Sequence, residues 1–259
     1  HYFYPCEDTC EIRPDCDQFS ATLKWESNAN VGSYPVLVAG DIDQDGMPEL
    51  VTYELESTRI IIMNGADGVA ERFINAPALL KGGMGPAIAD LDNDGFGEII
   101  IVTNNRDLVA YRHTGALYFE NLGIVGYDAG YEFAVVGVAD FDQDGTPELC
   151  VNSWADDAPM VVWQFASTDG LPALERREIG PRGNGHGMGF GDVNGDGRDD
   201  LFLCESGGLP NRLFVQETDG TARDVSAEAG VDWLEPATSA LFIDQDNDGD
   251  QDLLFTSGR

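Results

Sequence analysis

One nine-residue acidic loop recurs five times along this chain, and it constrains the fold more than any other feature. The copies are DIDQDGMPE from Asp41, DLDNDGFGE from Asp90, DFDQDGTPE from Asp140, DVNGDGRDD from Asp192 and DQDNDGDQD from Asp244. Their starts lie 49, 50, 52 and 52 residues apart, so a unit of about fifty residues runs through most of the 259. Self-similarity at such a period marks modules that bury their faces against their neighbours, and one domain of five similar units follows.

Each loop sits between two short apolar stretches: VLVAG, PAIA, VVGVA, GMGFG and ALFI before it, and LVTY, IIIV, LCVN, LFLC and LLFT after it. Runs this short, rich in β-branched and aromatic residues, predict strand, loop, strand. At offsets nine and ten from the first Asp stand Leu50 and Val51, Ile99 and Ile100, Leu149 and Cys150, Leu201 and Phe202, Leu253 and Leu254. Successive strand residues point to opposite faces, so the second strand of each unit is expected to be buried on both. Further on, RIIIMNGADGVAERF, LVAYRHTGALYFEN, VVWQFASTDGLPALERRE and LFVQETDGTARDVS each carry a Gly-containing turn at mid-length, as a hairpin requires.

Four strands per unit with covered inner strands describe an all-β fold, a β-propeller of four-stranded blades. These repeats are much longer than those of a parallel β-helix, and the paired glycines and aromatics of kelch units are not what recurs. Five blades are expected over 28–259. SATLKWES, ending at Ser27, reads as the outer strand of a blade without a beginning, so the Cys-containing segment 1–27 is expected to give one or two outer strands to the last blade. Two other arrangements stay open: a fragment of a larger propeller, or a strand that completes the last blade of a neighbouring molecule. The latter contact is heterologous and would propagate head to tail.

The loops have the chemistry of calcium sites. Calcium takes six to eight oxygen ligands, and carboxylates at alternate positions of a tight turn converge on one point. The expected ligands of the first loop are Asp41, Asp43, Asp45 and Glu49, with the carbonyl of Met47, while Gly46 permits the turn. In the second they are Asp90, Asp92, Asp94 and Glu98 with Phe96; in the third, Asp140, Asp142, Asp144 and Glu148 with Thr146. Asp192, Asn194, Asp196 and Asp200 with Arg198 form the fourth, and Asp244, Asp246, Asp248 and Asp252 with Asp250 the fifth. An EF-hand loop is twelve residues long and ends in Glu between helices; here the last carboxylate stands at position nine, and position twelve is Thr52, Ile101, Val151, Leu203 or Phe255. Gathering 19 carboxylates into five clusters is strongly repulsive without cations. About five structural Ca2+ ions are therefore expected. At ten times its dissociation constant each would add about 1.4 kcal/mol, and five together about 7 kcal/mol.

Acidic residues outnumber basic ones 47 to 14, for a formal charge of −33. That charge repels nucleic acid and anionic membrane surfaces, so neither is an expected partner. Five divalent ions would leave −23, an acidity that needs a further cause such as a salty habitat or a calcium-rich, solubilising surface. No apolar run approaches the roughly 18 to 20 residues that span a bilayer, and no basic-then-apolar leader opens the sequence. Cys6, Cys10 and Cys16 crowd beside Pro5 and Pro14, which favours at least one disulfide and an oxidising compartment over a zinc site. The five cysteines leave at least one thiol unpaired, and Cys150 and Cys204 read as two buried thiols of adjacent blades.

At these loops the sequence resembles the FG-GAP and VCBS repeat proteins, which include the propeller of integrin α subunits. The resemblance covers residues from about Val36 onward and rests on D-x-D-x-D-G-x-x-[DE] between strands. HGMGFGDVNGDGRDDLFL followed by NRLFVQETDGTARDVSAEAGV is most similar to the version found in ASPIC-type secreted proteins. The resemblance implies a calcium-stabilised propeller, secreted or at the cell surface, that serves adhesion, recognition or scaffolding toward a protein or glycan partner of the surface or matrix. Integrin propellers have seven blades, whereas this chain has loops for five.

A catalytic reading has little to stand on. The three histidines, His1, His113 and His186, accompany no nucleophile elbow, zinc helix or phosphate loop, and GNGHGMG has no Lys and no following helix. A non-catalytic module is expected. The runner-up is a calcium-dependent polysaccharide lyase or a glycan-binding lectin, with Trp154 and Trp233 as candidates for a partner surface and Trp25 and Trp163 as blade packing.

Overall fold

The structure of the protein is a computed structural model that describes residues 23–31, 36–54, 56–80, 85–115, 118–126, 135–141, 143, 145, 147–152, 158–165, 174–183, 185–205, 208–219, 221–244 and 251–257. All regular structure among these residues is β-strand. The chain forms antiparallel sheets in sequence order, each a meander. The first holds β1 (Val38–Gly40), β2 (Glu49–Tyr53), β3 (Ser57–Asn64) and β4 (Ala70–Leu80). The second holds β5 (Ala87–Ala89), β6 (Glu98–Val102), β7 (Leu108–His113) and β8 (Phe119–Gly126). The third comprises β9 (Val135–Ala139), β10 (Glu148–Asn152), β11 (Ala158–Phe165) and β12 (Leu174–Gly183), and the fourth β13 (Gly185–Gly191), β14 (Asp200–Glu205), β15 (Arg212–Gln216) and β16 (Ala222–Asp224). The fifth has two strands, β17 (Ala237–Ile243) and β18 (Asp252–Ser257).

The strand after each loop begins at position nine in all five units, and every predicted hairpin forms. The acidic loop is thus the β1–β2 connection of the first sheet and its equivalent in the others. The registers carry the loop ends into place: Gly40 pairs with Glu49, Ala89 with Glu98, Ala139 with Glu148, Gly191 with Asp200 and Ile243 with Asp252.

Four cores fill the spaces between successive sheets. Ile60 and Ile62 of the first sheet meet Ile99, Ile101 and Tyr111 of the second. Ile100 and Leu108 meet Leu149 and Val151 of the third. Cys150 and Met160 meet Leu201 and Leu203 of the fourth, and Phe202 and Leu213 meet Phe242 of the fifth. β6, β10 and β14 each feed two cores from their two faces, as expected, and are buried throughout, whereas β2 gives Val51 and Tyr53 to one core and leaves Leu50 half-buried. β18 departs from that expectation: Leu254 is 44% exposed, as is its β17 partner Leu241 at 54%, because among the described residues no further sheet covers that face.

The stretch before the first sheet also differs from expectation. Of the strand predicted at SATLKWES, the described part, 23–27, is not a strand. Instead Trp25 caps the β3–β4 turn. Its Nε1 donates to Gly65 O at 3.2 Å, and its ring lies so close to Gly68 that a Cβ there would fall 2.3 Å from Cε3. Ser27 Oγ donates to Met63 Sδ at 3.4 Å. Trp233 is half-buried and packs against the edge of the last core, 4.9 Å from the Phe255 ring and 6.4 Å from that of Phe202. Cys150 and Cys204 are buried free thiols, in different cores. Cys6, Cys10, Cys16, His1 and Trp154 lie outside the described residues.

Candidate metal centre

Two backbone devices shape every described loop. Position four takes a left-handed conformation, with φ of 58° at Gln44, 57° at Asn93, 58° at Gln143 and 72° at Gly195. Position six is a glycine with φ between 86° and 92° at Gly46, Gly95, Gly145 and Gly197, where a Cβ would be strained. The first Asp of the loop fixes this turn. Its Oδ2 accepts the N–H of the position-six glycine at 3.0 Å from Gly46, 2.8 Å from Gly95, 3.0 Å from Gly145 and 2.7 Å from Gly197. The fifth-position carboxylate accepts the amide two residues on, from Met47 and Phe96 at 2.8 Å and from Arg198 at 3.0 Å.

These bonds turn the odd-numbered carboxylates toward one another. Asp41, Asp43 and Asp45 offer oxygens within 4.8 Å of one another, and so do Asp90, Asp92 and Asp94. The ninth-position carboxylate arrives from the start of the next strand and is deeply buried: Glu49 is 2% exposed, Glu98 1%, Glu148 3% and Asp200 0%. One of its oxygens accepts the amide of position two, from Ile42 at 2.9 Å, Leu91 at 2.8 Å, Phe141 at 2.7 Å and Val193 at 3.0 Å. The other oxygen of Asp200 accepts the Gln216 amide at 2.9 Å.

In the second loop the remaining oxygens have no such partner. Glu98 Oε1 and Asp92 Oδ1 are buried without a hydrogen bond. Arg112 Nε lies 2.7 Å from Asp92 Oδ2, an ion pair at an angle unsuited to a hydrogen bond, and this leaves Oδ1 unused. Burial above all pushes the Glu98 carboxyl up to about 7, with Asp92, Asp94 and Asp90 adding repulsion and the Leu91 amide opposing both. Burial likewise raises Glu49 and Asp200, each beside the other carboxylates of its own loop. Buried carboxylate oxygens beside three converging carboxylates fit a hard divalent cation, which supplies the missing partner and offsets the repulsion.

The fourth loop is built differently. Asn194 replaces a carboxylate at position three, and the Arg198 guanidinium pairs with Asp196 through Nη2 while its Nε donates to Gln216 O at 3.3 Å. The sequence reading gave Arg198 a backbone role and missed this side-chain pairing. Asp199, at position eight, has its pKa raised by burial first and then by Asp192 and by Asp140 of the third loop. Asp142, Asp144, Thr146, Asp246, Asp248 and Asp250 lie outside the described residues. His113 is buried between the Phe96 and Phe119 rings, at 5.1 and 5.5 Å.

The loops recur in related proteins. Residues 90–151 and 192–255 match the FG-GAP-like repeat, and each match opens on the first Asp of a loop and closes in the strand that follows the next. Over 89% of its length the chain is 25% identical to human Cartilage acidic protein 1, and it spans 40% of that relative. Among solved structures it is similar to an Agrocybe aegerita lectin whose reported property is specific recognition of non-reducing terminal N-acetylglucosamine. That likeness has a TM-score of 0.53 at 16% identity and covers 86% of this chain and 61% of the lectin. With the loops in phase and the strands beginning at position nine, the chain carries FG-GAP-like repeats in two stretches, 90–151 and 192–255.

Proposed function

We propose that this chain is a calcium-stabilised, non-catalytic β-propeller of five blades that works outside the cell as an adhesion, recognition or scaffold module. The observation that carries the calcium reading is the second loop: buried Glu98 Oε1 and Asp92 Oδ1 have no hydrogen-bond partner beside the Asp90, Asp92 and Asp94 cluster. Asp41, Asp43, Asp45 and Glu49 would hold an ion in the first loop, and Asp90, Asp92, Asp94 and Glu98 in the second, each helped by the position-seven carbonyl. A bound divalent ion supplies charge neutralisation there. The residues themselves hold the turn and bring the start of β2 or β6 to it.

Extracellular placement is supported by the family and by the acidity shared, by name, with Cartilage acidic protein 1. The partner in this reading is a protein or a glycan of the surface or matrix; the lectin of similar fold motivates the glycan arm. Ring closure in this reading falls to the part of 1–27 before Leu23, which would supply outer strand beside β17–β18, since 23–27 is not a strand and lies against the first sheet. Thermal unfolding with and without a strong chelator, beside elemental analysis, tests the metal. An unchanged midpoint in a protein that holds no calcium would sink it. A glycan array with calcium present, and a search for new ultraviolet absorbance on acidic polysaccharides, separate lectin and lyase from a protein-binding scaffold. A calcium-dependent polymer in place of a monomer would move the strand exchange between molecules.

A further inference from the structure

Among the described residues, two side chains cross from one acidic loop to the next. The Gln44 amide, at position four of the first loop, donates from Nε2 to the carbonyl of Gly95, the turn glycine of the second. The Gln143 amide does the same from the third loop to Gly197 of the fourth. Both glutamines are exposed, so ordinary core packing does not explain the recurrence. Position four is Asn in the second loop and Gly in the fourth, so one side chain is a methylene shorter and the other is absent.

What the crossing amide grips decides its effect. The Gly95 carbonyl and the Phe96 N–H belong to one planar peptide unit. On the far side of that unit the Phe96 N–H donates to Asp94 Oδ1 at 2.8 Å, and Asp94 is a member of the converging cluster. In the fourth loop the same unit joins Gly197 O to the Arg198 N–H, which donates to Asp196 Oδ1 at 3.0 Å. Holding the carbonyl therefore orients the fifth-position carboxylate of the neighbouring loop. Gln44 can do this only while its own loop keeps position four left-handed, the conformation that wraps the first loop around Asp41, Asp43 and Asp45.

We propose that Gln44 and Gln143 are positioning residues for the neighbouring loop's cation, and that they couple the loops in pairs, first with second and third with fourth. This rests on the calcium reading above. An ion in the first loop steadies Gln44, which sets Asp94 for the second. By linkage the second ion favours the first by the same factor.

The test is calcium titration of the whole chain followed by hydrogen exchange of peptides covering 90–98 and 140–148. In Gln44→Ala the calcium needed to protect 90–98 rises about five-fold, the low end of ordinary coupling, while 140–148 is unmoved. Gln44→Asn, which cannot reach, behaves like Gln44→Ala. Asn93→Ala, at the position that makes no crossing, leaves the protection of 140–148 unchanged. Protection of 90–98 at the wild-type calcium concentration in Gln44→Ala overturns the proposal, and so does full function of Gln44→Asn. Absence of any calcium-dependent protection in the wild type overturns the calcium reading together with it.

Discussion

The junction between the first and second sheets and the junction between the fourth and fifth solve one packing problem in opposite ways. At the first junction large side chains from both sheets interlock: Ile60 and Ile62 with Ile99, Ile101, Val109 and Tyr111, all buried. At the second, the inner strand β13 lays alternate glycines against β17. A Cβ on Gly187 would fall 2.6 Å from Thr238 O, one on Gly189 3.1 Å from the Ala240 carbonyl, and one on Gly191 2.5 Å from Phe242 Cβ. One repeat unit thus tolerates either a side-chain interface or a close backbone approach. Gly187 and Gly189, within the GNGHGMG stretch set aside as a phosphate loop, and Gly191 beyond it serve this second solution.

If the two junctions differ as described, truncation should hurt the first most and enlargement the second. Ile62→Ala is expected to cost about 4 kcal/mol in urea unfolding, because it opens a cavity among side chains fixed by two sheets. A cost under about 1 kcal/mol would show that the first junction collapses readily and is not the rigid one.

Loop chemistry gives the next largest effect, in chelator-treated protein. The Glu98 pKa is raised to about 7 from its ordinary 4.5, so the protonated form favours the fold. That stabilisation is fully present below pH 4.5 and is lost as the pH rises through 7, to a total of about 3 kcal/mol. Unfolding at pH 5 and pH 8 measures it. Glu98→Gln should flatten this loss, and an equally steep loss in the variant would place its origin elsewhere.

Gly187→Ala should cost about 2 kcal/mol, since the new methyl meets main chain that cannot swing aside. Gly40→Ala, at the first junction, should cost under about 1 kcal/mol, because its methyl would meet the flexible end of Ile88 at 3.1 Å. Equal costs for the two glycines would erase the contrast between the junctions.

The sequence exposed whatever is local to one unit. Loop phase, the strand starting at position nine, the hairpin turns and the carboxylate clusters all follow from spacings within fifty residues. Contacts between units were hidden for the same reason. Nothing in the spacing of Trp25 says that it caps Gly68, and nothing around Trp233 says that Phe255 receives it. The fifth sheet's exposed face, with Leu241 and Leu254, escaped because burial on both sides was inferred from a neighbour that this region lacks among the described residues. Gln44 and Gln143 carried a readable signal, since position four alternates Gln, Asn, Gln, Gly, Asn along the repeats. Its meaning needed the distance between loops.

The turn glycines have one more consequence, for how the protein ages. Every loop contains Asp followed by Gly, a pair prone to close into a succinimide and reopen as isoaspartate, through attack of the glycine nitrogen on the aspartate side chain. Here that nitrogen is engaged: Gly46, Gly95, Gly145 and Gly197 each donate their N–H to the first Asp of the loop. In the first two loops the fifth-position Asp is turned away as well, holding the amide of Met47 or Phe96. The folded loop therefore withholds both reactants from each other, and chemical wear at these sites should begin where a loop has first come undone.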